Sequence, residues 1–242
     1  IRIMNTSRNI KIFIGLFYII LLSIFLYLFF SKFSIEEISS YKFIQDNREQ
    51  LINLKETNLL LLSIGFIVFI IIWVLLLGFG SPTILLSGFV FGKWIGVLIS
   101  IFSLSVGATL LYMFGNFFFK ELIKEKFLSR FKNLEDKFRK NEFIFFLVYR
   151  FVGGIPFAIA NLLPVLFNVR VKNYFLGTFL GLMPQGFVLA SLGGGLEKII
   201  KNNDTMPSLF DLFFSPDIYL PILSFIFLIL VALIVKKKFY KN

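Results

Sequence analysis

Seven apolar segments organise this chain, at residues 12–30, 59–80, 82–92, 94–115, 143–169, 174–193 and 218–235. Several reach the roughly 18 uninterrupted apolar residues that argue for a membrane span. In hydrocarbon every backbone polar group must be satisfied within the protein, which favours helices for segments of this kind. The sequence therefore predicts an all-α polytopic membrane protein. Composition agrees: 57% of the 242 residues are hydrophobic and the mean hydropathy is +0.86. The first run, 12–30, is too long for the 7–15-residue apolar core of a signal peptide and lacks a small-residue cleavage site, so it reads as a retained helix.

The chain has no cysteine and no histidine. That excludes disulfides, Cys/His zinc sites and any Ser–His or Cys–His catalytic pair. No cofactor or metal is implied. The net charge of +11 would suggest nucleic acid for a soluble protein. For a membrane protein it marks cytoplasmic loops and anionic lipid heads instead, so nucleic acid is not expected as a partner.

Charge sets the topology. Segment 116–142 carries eight basic residues, and the N-terminus and the tail are basic as well. Segment 31–58 holds four basic residues against five acids, and 194–217 holds two against four. The positive-inside rule places the first group, with both termini, in the cytoplasm and the second outside. The number of apolar segments between these loops then has the wrong parity. It is repaired if 59–93 enters from outside and returns there, and 143–169 enters from inside and returns there. Each re-entrant hairpin is followed by one full span, 94–115 and 174–193.

Helix breakers fall where that scheme needs turns: Gly78, Gly80, Ser81 and Pro82 in the first hairpin, and Gly153, Gly154 and Pro156 in the second. Proline lacks an N–H, and glycine permits a turn. Non-helical backbone at membrane depth survives only against protein or a water-filled cavity. Two opposed hairpins make an inverted repeat, whose broken elements meet near the midplane in many transporters. The organisation expected is an N-terminal helix and external segment at 1–58, a core at 59–195, and an external loop, last helix and basic tail at 196–242. Within 116–142, Phe127, Phe131, Leu134 and Phe138 recur at helical spacing among basic residues, which predicts an amphipathic helix on the cytoplasmic face.

Arg150 is the most informative residue. An arginine in mid-helix costs about 2.5–3.5 kcal/mol on insertion scales and usually faces a cavity or a partner. The bland alternative is that it extends along the helix to the head groups. No acidic residue lies in any apolar segment, so an anion is the natural partner, and a guanidinium binds phosphate bidentately. Asn161 either bonds the backbone freed at the turn or donates to a head group. Gly88, Gly92 and Gly96, and again Gly177 and Gly181, have the spacing that lets membrane helices pack closely.

These residues resemble a family. SPTILLSGFVFGKWIG followed by SLSVGATLLYMFG is similar to the first block of the DedA superfamily, also called the VTT-domain or SNARE-associated Golgi protein family. YRFVGGIPFAIANLLP followed by NYFLGTFLGLMPQGFVLASLGGG is similar to its second block, in the Tvp-like branch. The likeness covers roughly residues 60–195. It implies two re-entrant hairpins in inverted repeat and movement of lipids between leaflets, with the family's arginine at Arg150, its hairpin glycine and proline at Gly154 and Pro156, and its first-block proline at Pro82. Many bacterial relatives carry membrane-embedded acids tied to proton coupling, and this chain has none, which speaks against proton-driven transport.

The function expected is a transporter or scramblase of phosphate-headed lipids, phospholipid or polyprenyl phosphate, in a bacterial inner membrane. Its candidate binding residues are Arg150, Gly153, Gly154, Pro156, Asn161 and Pro82. Its partners would be membrane lipids with anionic head groups, and a homo-oligomer is allowed for. The rival class is a scaffold that recruits partners or anionic lipid through 116–142. An intramembrane enzyme is not expected, because no G-x-S-x-G and no paired membrane aspartates are present.

Overall fold

A computed structural model describes residues 41–118, 142–153, 155–202, 208 and 214–240, together with isolated helical positions at 13, 17, 20, 23, 24, 27 and 31. Most of the expected amphipathic helix at 116–142, and most of the first apolar run, lie outside the described residues. The chain forms two units, Ile1–Gln50 and Leu51–Asn242. In the first, Phe13, Phe17, Ile20, Ile24 and Tyr27 are helical and exposed.

Most described residues from 41 onward are helical, with no strand among them, and the first helix straddles the boundary between the two units. The helices are α1 (Tyr41–Leu75), α2 (Gly80–Phe118), α3 (Glu142–Val152), α4 (Phe157–Leu162, continued by a 3-10 turn at Leu163–Phe167), α5 (Val171–Asn202) and α6 (Pro216–Tyr240). Four are long and apolar enough to cross a membrane, over Arg48–Leu75, Gly80–Phe118, Val171–Asn202 and Pro216–Val235.

Two of these are not single rods. Asn58 breaks α1 with φ −152 and ψ 73, and its Oδ1 accepts from the Leu61 N–H at 3.0 Å, capping the segment that follows. Gly92 breaks α2 with φ 77 and ψ 171. The chain doubles back there, because the Ser87 hydroxyl donates to the Gly96 carbonyl at 2.9 Å. Nine residues along a straight helix would separate these groups by about 13 Å. The limb 80–91 is thus only about 18 Å long.

That limb runs back along α1. The chain reverses at 76–79, where the Trp73 indole donates to the Phe79 carbonyl at 2.9 Å. Farther from the turn, the Phe66 and Phe91 rings meet edge to face with centroids 5.3 Å apart. A second hairpin has the same plan. α3 runs out, the chain breaks at 153–156, and α4 with its 3-10 turn runs back. The Tyr149 hydroxyl donates to the Ala160 carbonyl at 3.1 Å across the hairpin. At its mouth, Glu142 accepts from the Arg170 N–H at 2.6 Å and from Asn173 at 2.9 Å.

Each hairpin leads into a long limb, 93–118 and α5, and these two pack against each other in antiparallel fashion. Tyr112 and Tyr174 stack with centroids 4.4 Å apart, whereas Trp94 and Phe187 meet at 5.0 Å. Lipid is as apolar as leucine, so association here rests on close packing and hydrogen bonds rather than on expulsion of water. Small residues accordingly bring limb 80–91 and α3 close onto α5. A Cβ on Gly88 would collide with the Ala190 backbone, and one on Gly181 would lie 2.9 Å from the Leu147 carbonyl. The outward faces keep large apolar side chains such as Leu61, Phe227 and Ile234 exposed.

Candidate functional site

The two breaks converge on one cavity of about 310 Å³. Phe79, Gly80 and Ser81 bound it from the first hairpin, and Gly153, Pro156 and Phe157 from the second. α5 supplies the wall between them through Leu182, Gln185 and Leu189.

Arg150, in the last turn of α3, also lines this cavity and is only 3% exposed. Its Nε donates to the Thr178 hydroxyl at 3.1 Å and its Nη2 to the Tyr174 hydroxyl at 2.6 Å. The Tyr174 hydroxyl in turn donates to the Asn161 backbone carbonyl at 3.1 Å. Four rings surround the guanidinium carbon: Phe146 at 5.1 Å, Tyr174 at 5.2 Å, Phe157 at 5.8 Å and Tyr149 at 5.9 Å from their centres. Aromatic faces attract a desolvated cation by about 2 kcal/mol in favourable cases. The cage and the two hydroxyls therefore offset much of the loss of hydration without neutralising the charge. The side chain does not run out along its helix toward a head-group layer; it is tied sideways to α5.

The other predicted residues fall into different places. Gly153 has φ 62 and Pro156 caps α4; both are exposed on the cavity wall. Gly154 lies outside the described residues. Asn161 is fully buried behind Ala160, with its Nδ2 unpartnered among the described residues. Pro82 sits in the first turn of α2, exposed, and is not part of the cavity wall. Gly88 and Gly96 lie where the two limbs of α2 approach, a Cβ on Gly96 falling 2.9 Å from the Gly88 Cα. Gly177 packs on the Phe146 ring, and Gly181 on Arg150 itself, where a Cβ would come within 2.6 Å of the Arg150 Cβ.

Gly92 corrects the expectation of a packing glycine. Nothing lies within 4 Å of where its Cβ would be. What the position requires is its backbone angle, in a region almost closed to other residues. The repeated glycine spacing is therefore not one stripe on one helix but the two sides and the corner of a helical hairpin.

Sequence reasoning missed Tyr174, Thr178 and Gln185, whose amide donates to the Arg150 carbonyl at 3.2 Å. A signal existed: all three are polar residues on one face of the otherwise apolar stretch 174–190, at spacings of four and seven.

Comparison with known proteins agrees with the motifs. Residues 78–194 match the VTT domain. Just under half of this membrane-type chain is thus similar to the VTT domain. The matched stretch begins at the first break and ends on α5, so it contains the cavity and Arg150. Two relatives are each named Transmembrane protein 41 homolog. That of Caenorhabditis elegans is 26% identical over 152 residues, 60% of this chain and 61% of its own length. That of Dictyostelium discoideum is 27% identical over 122 residues, 49% of this chain and 36% of its own length. The match thus spans less than two thirds of either relative. No solved structure gives a significant match.

Proposed function

We propose that this VTT-domain-like protein moves phosphate-headed lipids between leaflets as a scramblase-type transporter and not as an enzyme. The observation that carries the reading is the convergence on one cavity of both chain breaks and a caged Arg150 that has no carboxylate partner among the described residues. The limb 80–91, α3, and α4 with its 3-10 turn are each about 16–19 Å long, and the remaining limb, 59–75 after the Asn58 break, is about 26 Å. A bilayer's hydrocarbon core is about 30 Å thick. The shorter limbs suit re-entrant hairpins that enter from opposite faces and stop near the middle. A phosphate drawn to Arg150 would then rest at mid-depth while its chains stay in the bilayer. The Tvp-like branch, a bacterial inner membrane and cytoplasmic termini complete the reading, on the motifs and the charge bias.

The test is transfer of a labelled phosphate-headed lipid in liposomes. Wild-type protein should accelerate transfer over protein-free vesicles. Arg150→Lys keeps the charge but loses the planar fork that holds Tyr174 and Thr178 while leaving N–H groups for a bidentate ligand, and should fall at least about tenfold. Arg150→Ala should approach background while still inserting. A wild-type rate no faster than empty vesicles would sink the transport reading and favour the scaffold. Wild-type rates in both variants would reduce Arg150 to a structural role.

A further inference from the structure

A second cavity, of about 380 Å³, lies on the other flank of α5, where the Gly92 corner, the end of α5 and the start of α6 meet. We infer that it is a resting site for a phospholipid whose head group carries both a phosphate and an ammonium.

The charge on the wall is mixed. Lys55, Lys93 and Lys198 line it, together with Glu197 and Asp217. Lys198 and Asp217 form an ion pair of 2.8 Å, both well exposed, and Lys93 is exposed beside Trp94. A purely anionic head would meet the two carboxylates, and a purely cationic one would meet the three lysines. A zwitterion meets both signs with their complements, its phosphate on lysine and its ammonium on carboxylate. An exposed ion pair is weak and solvated, so it exchanges partners readily.

The wall then continues as an apolar channel. Phe187, Val188, Leu220 and Ser224 belong both to this cavity and to a groove of about 430 Å³ between α5 and α6, which runs on past Leu223 and Phe227. A charged chamber opening into an apolar groove along membrane helices has the two-part form of a phospholipid. A peptide or a second copy of the chain has no comparable reason to place mixed charge at one end of a lipid-facing groove. Trp94, which packs on Phe187 of the wall, and Tyr219, next to Leu220, are exposed, and aromatic residues of this kind are enriched at membrane interfaces. The inference goes beyond the transport reading and rests on membrane placement alone.

The experiment reads binding rather than transfer, so it stands whether or not the Arg150 cavity moves lipid. The full chain is placed in nanodiscs with equal amounts of phosphatidylethanolamine and phosphatidylglycerol bearing the same acyl chains, released gently, and its retained lipid counted by native mass spectrometry. Phosphatidylethanolamine should be retained at least about threefold over phosphatidylglycerol. Lys93→Gln, at an exposed position that leaves the fold intact, should reduce that retention about threefold. Leu223→Trp, which fills the groove, should do the same. Equal or greater retention of phosphatidylglycerol overturns the head-group assignment. Wild-type retention in either variant overturns the site.

Discussion

Arg150 and Tyr174 are joined twice: the guanidinium donates to the tyrosine hydroxyl at 2.6 Å and also lies 5.2 Å from the centre of the same ring. One side chain therefore holds the cation through its polar tip and through its face. Because Tyr174 also stacks on Tyr112, whose hydroxyl donates to the Val169 carbonyl, the buried charge is anchored in the contact between the two long limbs.

Tyr174→Phe separates those two attachments. The ring and its stacking remain, but Arg150 Nη2 and the Asn161 carbonyl lose their partner. Stability should fall by about 1–3 kcal/mol, as expected when a buried, charge-assisted bond is left half made. Tyr112→Phe loses a neutral bond and should cost about 0.6 kcal/mol, the average for membrane side-chain bonds. Reversible unfolding in detergent micelles measures both, and equal losses would mean that the charge adds nothing to the Tyr174 bond.

The corner at Gly92 should tolerate no other residue. Gly92→Ala should cost about 1–3 kcal/mol despite the open space around it, because the strain is in the backbone. Asparagine often rescues a left-handed position but should fail here, since ψ 171 lies far from the left-handed helical well. Thermal unfolding of both variants decides this, and a stable Gly92→Asn protein would show that the corner adapts.

α5 should connect opposite sides of the membrane. At 32 residues it is about 48 Å long, ample for a core of about 30 Å. Single cysteines at the exposed Asn168 and Asn202 should label from opposite faces, Asn168 from the cytoplasm and Asn202 from outside. Labelling of both from one face would remove the opposed-hairpin topology.

Transport should not depend on protons. The chain has no histidine, and no acidic residue lies in an apolar segment, so no intramembrane side chain is of the type that changes charge between pH 6 and 8. Transfer in liposomes should stay within about twofold across that range and should ignore a protonophore. A steep pH dependence would require a titrating group that the sequence does not provide.

Much of the fold was legible because its punctuation is local. Glycine and proline at 78–82 and 153–156 announce breaks within a few residues of where the chain turns, and the charge bias sorts the loops. Lys55, Lys198 and Asp217 come from the two segments assigned to the same side by charge, and they line one cavity. Gly92 was misread because close packing and a sharp corner use the same glycine spacing. Arg150 stood out as a charge in an apolar run, but its partners lie 24 and 28 residues away on another helix. Contacts of that kind depend on the register of two packed helices, which no local pattern encodes.

α5 separates two cavities with the thickness of a single helix, Leu182, Gln185 and Leu189 facing one and Val188, Ser191 and Lys198 the other. The two linings overlap along the helix near 187–189, where they share one wall. Any lateral displacement of α5 enlarges one chamber at the expense of its neighbour, and Pro184, which removes a backbone hydrogen bond between the two faces, lowers the resistance to such bending. An occupant that pushes the helix aside would therefore disfavour an occupant on the far flank, and the far occupant would disfavour the first to the same degree. Antagonism of this sort needs no contact between the two molecules, only a shared wall.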